Sequence, residues 1–502
     1  MRRFNLSATL ATLGAFALGA CADQTTAPLP TRLLSSPVFS VGGEADAAGS
    51  YLVRFRGNGV PARFAADVAR LGGELIFAHP IGIAAVAGLD EAGAAALAAV
   101  SGVASVDADA FVTLDDQAST DVATAEMEPD SPTNPTISFF YPRQWNMRAI
   151  GANVAWAAGH LGSPAVRVGI LDTGIDYLHP DLVGRVDLNA SRSYLSAAEN
   201  ARVPAGAHTI ADLNYHGTHV AATVASNGLA AAGVTSQVTL VGLKVCAPGT
   251  AANGFAGTCP VSGTMAAILD AADMGLDVIN MSLGGAFTRR AASARGGFGP
   301  SFIATINQVL NYANRQGTAI VVSAGNSAID LGRNLVPGQG GATKVPGLYV
   351  SYCDAPAVIC VSATGPTAQA STNGPWTNVD ALAAYSNYGR GAIDVAAPGG
   401  NVSAVWAACS GFTLHPGLAG CRSRFYNPAT GAWSASVVGI NGTSMAAPHV
   451  TGTAALIAGV VGHSPSQIEA RLQQTADDLG QPGNDPAYGK GRINVARAAG
   501  VP

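Results

Sequence analysis

The chain has 502 residues, with 27 Lys and Arg against 32 Asp and Glu, a formal net charge of −5, and 48% apolar residues. That balance leaves no basic footprint and excludes a nucleic-acid partner. Few charges and much apolar material let a chain of this length bury a substantial core, in more than one unit.

Met1-Arg-Arg precedes an apolar run from Leu10 to Ala20, too short for a permanent membrane span and suited to a signal peptide over residues 1–21. The run closes Leu18-Gly-Ala-Cys21, which resembles the lipobox of bacterial lipoproteins; Cys21 would then carry a lipid and attach the exported chain to a membrane. Ordinary secretion, with cleavage after Ala20-Cys-Ala22, stays open beside it. The other six cysteines fall into close pairs, Cys246 with Cys259, Cys353 with Cys360 and Cys409 with Cys421, which leaves Cys21 over. Three such disulfides imply an oxidising compartment, extracellular or in the cell envelope, although six cysteines allow fifteen connectivities. Residues 22–48 read as a flexible tether.

Residues 49–114 carry a small autonomous pattern. Tyr51–Phe55 alternates as a strand, Pro61–Leu71 is an amphipathic helix, Glu74–Phe77 and Ile83–Val86 are strands, Glu91–Val100 is a second helix, and Val103–Val112 is a last strand. This βαββαβ order predicts a ferredoxin-like α+β sheet. Residues 115–136, rich in Asp, Ser, Thr, Pro and Ala, read as a disordered, protease-accessible linker.

Residues 137–502 alternate strand-like runs with helical ones. Strands are expected at Val166–Leu171, Gln237–Val245, Asp277–Met281, Ala319–Ser323, Ala357–Ala363 and Ile393–Ala396, and helices at Gly263–Met274 and Phe302–Arg315. The fold class that follows is α/β, a doubly wound and mostly parallel sheet. Two Gly-rich insertions, Cys246–Cys259 and Cys409–Cys421, read as disulfide-closed surface loops.

Polar groups with chemistry converge on one edge of this sheet. Asp172 ends the first strand at an Asp-Thr-Gly turn, and strand C-terminal edges are where ligand crevices form in open α/β sheets. His216-Gly-Thr-His219 opens a small-residue helix, and Ser323-Ala-Gly-Asn326 ends a buried strand. Ser444 lies in Asn441-Gly-Thr-Ser-Met, which runs straight into a helix whose first N–H groups can stabilise an oxyanion. Nucleophile, base, orienting carboxylate and amide donor are the parts of serine acyl-transfer chemistry. An aspartic-protease reading of Asp-Thr-Gly needs a second such carboxylate, and the chain has no other Asp-Thr-Gly or Asp-Ser-Gly. A zinc reading of His216 and His219 lacks the His-Glu-x-x-His pattern and a third ligand, so no catalytic metal is expected. His219 reads as packed beneath the site, and His179 and His449 as turn or surface histidines.

Asp172-Thr-Gly, His216-Gly-Thr-His, Ser323-Ala-Gly-Asn326 and Gly442-Thr-Ser-Met-Ala-Ala-Pro448 resemble, in order, the four signatures of the subtilisin-like serine protease family (subtilases, peptidase S8). The resemblance spans roughly residues 140–500, through Asp277-Val-Ile-Asn-Met-Ser-Leu-Gly-Gly285, Tyr385-Ser-Asn-Tyr-Gly389 and Asp394-Val-Ala-Ala-Pro-Gly399. Ala222 departs from it, where the family commonly has glycine.

The resemblance implies a serine endopeptidase with Asp172, His216 and Ser444 as triad and Asn326 in the oxyanion hole. Ser282, Leu283, Gly284 and Gly285, with Ser323, Ala324 and Gly325, would wall the primary specificity pocket, and the absence of an acidic residue in either stretch favours apolar or aromatic P1 side chains. The 49–114 unit resembles the family's inhibitory propeptide (inhibitor I9 type), a folding template and intramolecular inhibitor removed by a cut in the linker. Partners would be protein and peptide substrates, for an enzyme expected to be monomeric. No cofactor is required for the chemistry. Structural calcium is left open, since the family's loop after the histidine helix is here the short, carboxylate-free Ala225–Gly233. A binding protein on an inactive scaffold is the rival class, and degenerate catalytic positions would mark it; none of the four is degenerate.

Overall fold

A computed structural model describes residues 49–501 apart from 58, 115–116, 128–133, 252–254, 290–298, 339–340 and 423. The signal, the tether and Cys21 lie outside the described residues. Tyr51–Phe55 (β1), Phe64–Arg70 (α1), Glu74–His79 (β2), Ile83–Ala87 (β3), Glu91–Ala98 (α2) and Val103–Ala108 (β4) build a four-stranded sheet in the order β2-β3-β1-β4, antiparallel throughout. This is the ferredoxin-like arrangement, with a core of its own formed by Val53, Phe55, Phe64, Val68 and Leu97. Asp90 caps α2 by accepting the Gly93 N–H at 2.7 Å.

The expected last strand, Val103–Val112, is two elements. β4 stops at Ala108, and Phe111–Thr113 (β5) leaves the small sheet. The break lies at Asp109, whose carboxylate accepts the Ser262 N–H at 3.0 Å at the head of a helix in the large domain, while Asp107 hydrogen-bonds the Ser301 hydroxyl at the head of another. Helix N-termini present unpaired N–H groups and a positive dipole end, so the two aspartates anchor the small domain where a continuous strand would not reach.

Residues 115–136 also depart from expectation. Instead of a wholly disordered linker they hold an eleven-residue strand, Gln117–Met127 (β6). Composition gave no strand signal, but Ala123, Ala125 and Met127 pack with Phe140, Ala230, Ala231 and Trp406, and tertiary pairing overrides a weak local preference.

The large domain continues with Arg167–Asp172 (β7), Arg192–Ser193 (β8), His216–Val224 (α3), Thr239–Lys244 (β9), Thr258–Pro260 (β10), Val261–Asp273 (α4), Val278–Met281 (β11), Pro300–Gln316 (α5), Ala319–Ser323 (β12), Ile359–Thr364 (β13), Val395–Pro398 (β14), Val405–Ala408 (β15), Phe425–Tyr426 (β16), Trp433–Asn441 (β17) and Thr443–Val461 (α6). Seven strands form one parallel sheet in the order β14-β13-β12-β11-β7-β9-β8. Successive strand residues feed opposite faces: Val168, Ile170 and Val321 pack with α3 and α6, while Leu171, Ile320 and Val322 pack with α4 and α5. Helix α6 is apolar enough to cross a membrane by length and composition, yet it lies buried in this core. β15, β16 and β6 flank β17 antiparallel, and β5 pairs antiparallel with β10. Cys246–Cys259, Cys353–Cys360 and Cys409–Cys421 are bonded, as the spacing suggested.

Candidate active site

Asp172 is the last residue of β7 and is fully buried. One carboxylate oxygen, Oδ1, accepts the Thr173 N–H at 2.7 Å and contacts His216 Nδ1 at 2.8 Å. Two glycines permit this approach. A Cβ on Gly174, whose φ is +118°, would lie 2.3 Å from the Ile210 carbonyl, and one on Gly217 would lie 2.2 Å from the Gly174 carbonyl. No side chain fits either position, so the Asp-Thr-Gly turn and the first turn of α3 touch backbone to backbone.

A second buried carboxylate, Asp212, fastens that contact, and the sequence reading missed it. Asp212 accepts the Thr173 hydroxyl at 2.8 Å, the Thr218 hydroxyl at 2.6 Å and the Thr218 N–H at 3.0 Å. Thr173 in turn accepts the Gly217 N–H at 2.9 Å. Burial pushes the Asp212 carboxyl up, with the nearby Asp172 acting in the same direction. The available signal was threonine after the aspartate in one motif and two residues past the histidine in the other.

Ser444 is the second residue of α6 and is 4% exposed. Its hydroxyl donates to the Ser282 carbonyl at 3.2 Å, and Ser282 Oγ donates to the Ser444 carbonyl at 2.7 Å. Asn280 extends the link, donating to Ser282 Oγ at 2.9 Å and accepting the Thr451 hydroxyl at 2.8 Å, so the end of β11 is tied to α6. Asn326 Oδ1 accepts both the N–H and the hydroxyl of Thr443 at 2.8 Å. This fixes the carboxamide with its NH2 group on the side away from Thr443. Asn387 is a second residue the sequence reading missed: it donates to the Ala324 carbonyl at 2.7 Å and accepts the Ile329 N–H at 2.8 Å, shaping the loop that carries Asn326.

Ser282–Gly285 and Ser323–Gly325 follow neighbouring parallel strands, β11 and β12. Leu283 and Ala324 are buried in the core, so what they can offer a cleft is backbone. Gly285 already exchanges hydrogen bonds with Ser351, at 2.8 Å each. Ala222 is buried in the core between the sheet and the helices.

The remaining histidines correct one expectation. His219 lies beneath the site, its Nε2 donating to the Val405 carbonyl at 3.0 Å. His179 lies in a turn and His449, expected in a turn or at the surface, lies inside α6; both are fully buried, His179 Nε2 donating to the Ser436 carbonyl at 3.0 Å and His449 Nδ1 to the Met445 carbonyl at 2.7 Å while Asn146 donates to its Nε2. Burial holds His219 down to about 3 and His449 to about 4. Both stay neutral in the fold and charge only on unfolding. Stability is therefore complete above the unfolded pKa of about 6.5 and falls, for each, by about 1.4 kcal/mol per pH unit as pH drops toward the folded values. The thermal midpoint of the Ser444→Ala chain is expected to fall steeply between about pH 6.5 and about pH 4.5, and calorimetry returning a flat profile would contradict this.

The loop after α3 does not suit calcium. Both oxygens of Asp181 accept backbone N–H groups, from Leu229, Ala230 and Ala231 at 2.8–3.0 Å, and Asn227 Oδ1 accepts the Arg185 guanidinium at 2.7 Å. Oxygens so engaged leave no cage for a hard cation. Among the described residues no cluster of three or more His, Cys, Asp or Glu could hold a metal.

Comparison with known proteins agrees with this geometry. A profile described as the Subtilase family (Peptidase_S8) matches residues 163–491. Subtilisin DY of Bacillus licheniformis is 32% identical over 355 residues, 70% of this chain and 96% of that one. Among solved structures, an epidermin leader peptide processing serine protease from Staphylococcus aureus superposes with a TM-score of 0.64 at 19% identity, over 90% of this chain and 97% of that one. Fervidolysin from Fervidobacterium pennivorans, described as a keratinolytic enzyme related to subtilisin, gives 0.62 at 22%, over 90% and 61%.

Proposed function

The chain belongs to the subtilase family of serine endopeptidases, and on that footing we propose that Asp172, His216 and Ser444 are its catalytic triad. The observation that carries this reading is the 2.8 Å contact between the buried Asp172 carboxylate and His216 Nδ1, at the same sheet edge as a serine heading a buried helix. His216 takes the proton of Ser444 through Nε2 as the hydroxyl oxygen attacks the substrate carbonyl, then returns it to the leaving amine. Water hydrolyses the acyl-enzyme by the same steps in reverse roles. Asp172 orients the ring and stabilises its imidazolium form without taking the proton. The Asn326 amide and the Ser444 N–H hold the oxyanion, a role that the orientation of the Asn326 carboxamide supports. No cofactor takes part.

The enzyme is exported, either released or anchored through a lipid on Cys21, and works as a monomer, since one chain supplies every catalytic group. The small domain is its intramolecular inhibitor, seated on the heads of α4 and α5 by Asp109 and Asp107. It removes this domain itself. β5 ends beside the triad turn, with Leu114 N–H donating to the Gly257 carbonyl at 2.9 Å, and β6 begins opposite Asn441, three residues before Ser444. The cut therefore falls between Leu114 and Gln117.

Intact mass and casein hydrolysis of the full chain beside its Ser444→Ala variant test this reading. A new N-terminus at Asp115, Asp116 or Gln117 is expected in the active chain alone. Specificity is broad, with apolar or aromatic P1, because neither Ser282–Gly285 nor Ser323–Gly325 contains an acid. A peptide-library profile led by Arg or Lys at P1 would overturn that assignment.

A further inference from the structure

We propose that the outer edge of β17 is an extended site for the primed side of a polypeptide substrate, and that residues 117–127 hold it as an intramolecular competitor. The proposal rests on the triad reading above. β17 runs from Trp433 to Asn441 and reaches Ser444 three residues later. Along it β6 pairs antiparallel from Gln117 opposite Asn441 to Met127 opposite Trp433, with one irregularity after Val438. Upstream, Phe111–Thr113 pairs with Thr258–Pro260, and a Cβ on Gly257 would meet both Leu114 and Thr173, the neighbour of Asp172. The protein's own chain thus arrives on one side of the triad and departs on the other as an extended strand, the course of a substrate passing the nucleophile.

The departing strand defines what the site takes. Main-chain pairing reads no sequence and accepts any unfolded segment by strand addition. Side chains add a filter: Ala123 and Ala125 lie against Phe140, Ala230, Ala231 and Trp406, while on the other face a Cβ on Gly420 would sit 3.2 Å from Val122. Small or unbranched apolar residues at alternate positions fit the first face, as Ala123, Ala125 and Met127 do. An eleven-residue strand spans about 35 Å, so the ligand is an extended polypeptide reaching many residues past the scissile bond, not a short peptide. A cut ahead of Gln117 leaves β6 paired and tethered, at the high effective concentration of an intramolecular ligand.

Thr124 and Ser436 are directly opposite, with their hydroxyl oxygens 2.7 Å apart, so Thr124→Cys with Ser436→Cys locks the strand reversibly. In the self-processed enzyme, the oxidised pair is expected to hydrolyse denatured casein at least about tenfold more slowly than the same protein under mild reductant, as a tethered competitor that cannot leave should. Hydrolysis of a succinylated tetrapeptide p-nitroanilide ending in Phe, with no primed residues, stays unchanged, and wild type responds to reductant on neither substrate. Equal casein rates in the two redox states, or parallel loss on both substrates, overturn the proposal. Should the pair fail to cross-link, Ala125→Asp, which puts a charge against Trp406 and Phe140, is expected to speed casein cleavage and spare the p-nitroanilide; no change on casein refutes it. Residual p-nitroanilide hydrolysis by Ser444→Ala would instead sink the triad reading, a readout the strand does not touch.

Discussion

Ser444→Ala is expected to abolish hydrolysis of casein and to leave the chain at full length through a purification in which the wild type loses its first domain. The serine hydroxyl is the only group in the proposed scheme that bonds to substrate carbon, so no neighbour can replace it. For subtilisin itself loss of this serine costs about a millionfold in turnover, and a loss of that order is expected here. Folding should survive, because the structural tie between β11 and α6 runs through Ser282 Oγ and the Ser444 main chain, which alanine keeps. A variant that stays unprocessed but keeps the wild-type thermal midpoint separates loss of chemistry from loss of fold. A variant that still processes itself would remove Ser444 from the mechanism.

Asn326→Ala comes second in size. The side chain touches charge only as the oxyanion develops, so turnover should fall while KM stays near the wild-type value. The subtilisin precedent for removing this donor is on the order of a hundred- to a thousandfold. One complication is structural: Asn326 Oδ1 accepts two hydrogen bonds from Thr443, and alanine leaves the Thr443 N–H without that acceptor next to the nucleophile. Asn326→Asp keeps the acceptor and discards the donor. Comparable loss of turnover in both variants assigns the effect to the donor; recovery in Asn326→Asp assigns it to the positioning of Thr443.

Much of the site could be read from local patterns because each proposed catalytic group ends or begins an element. Asp172 stops a β-branched run, Asn326 follows one, and His216 and Ser444 open small-residue helices. What escaped the sequence depends on distant partners. β6 is a strand because Thr124 and its neighbours find β17, 312 positions along the chain, and nothing in Gln117–Met127 itself carries that information. The burial of His179 and His449 rests on partners that only the fold brings within reach, the Ser436 carbonyl for the first and the Asn146 amide for the second. Asp212 and Asn387 escaped for a related reason: they bond the loops that carry the catalytic groups and touch none of those groups' own motif positions except through threonine and backbone.

The three disulfides join cysteines only 13, 7 and 12 positions apart, and their Cα atoms lie 4.0, 5.2 and 5.3 Å from one another. Consecutive Cα atoms are about 3.8 Å apart, so each ring leaves and re-enters the domain across a gap that one or two residues can close. None of the rings ties one sheet strand to a distant one. Cys246–Cys259 reaches into β10, the strand that pairs with β5, and Cys409–Cys421 sits beside β6, so exchanging either ring alters the rim met by an incoming chain. Each ring also braces the triad turn from behind, the Phe255 carbonyl accepting the Asn214 amide and Ser410 Oγ donating to the Asp212 carbonyl.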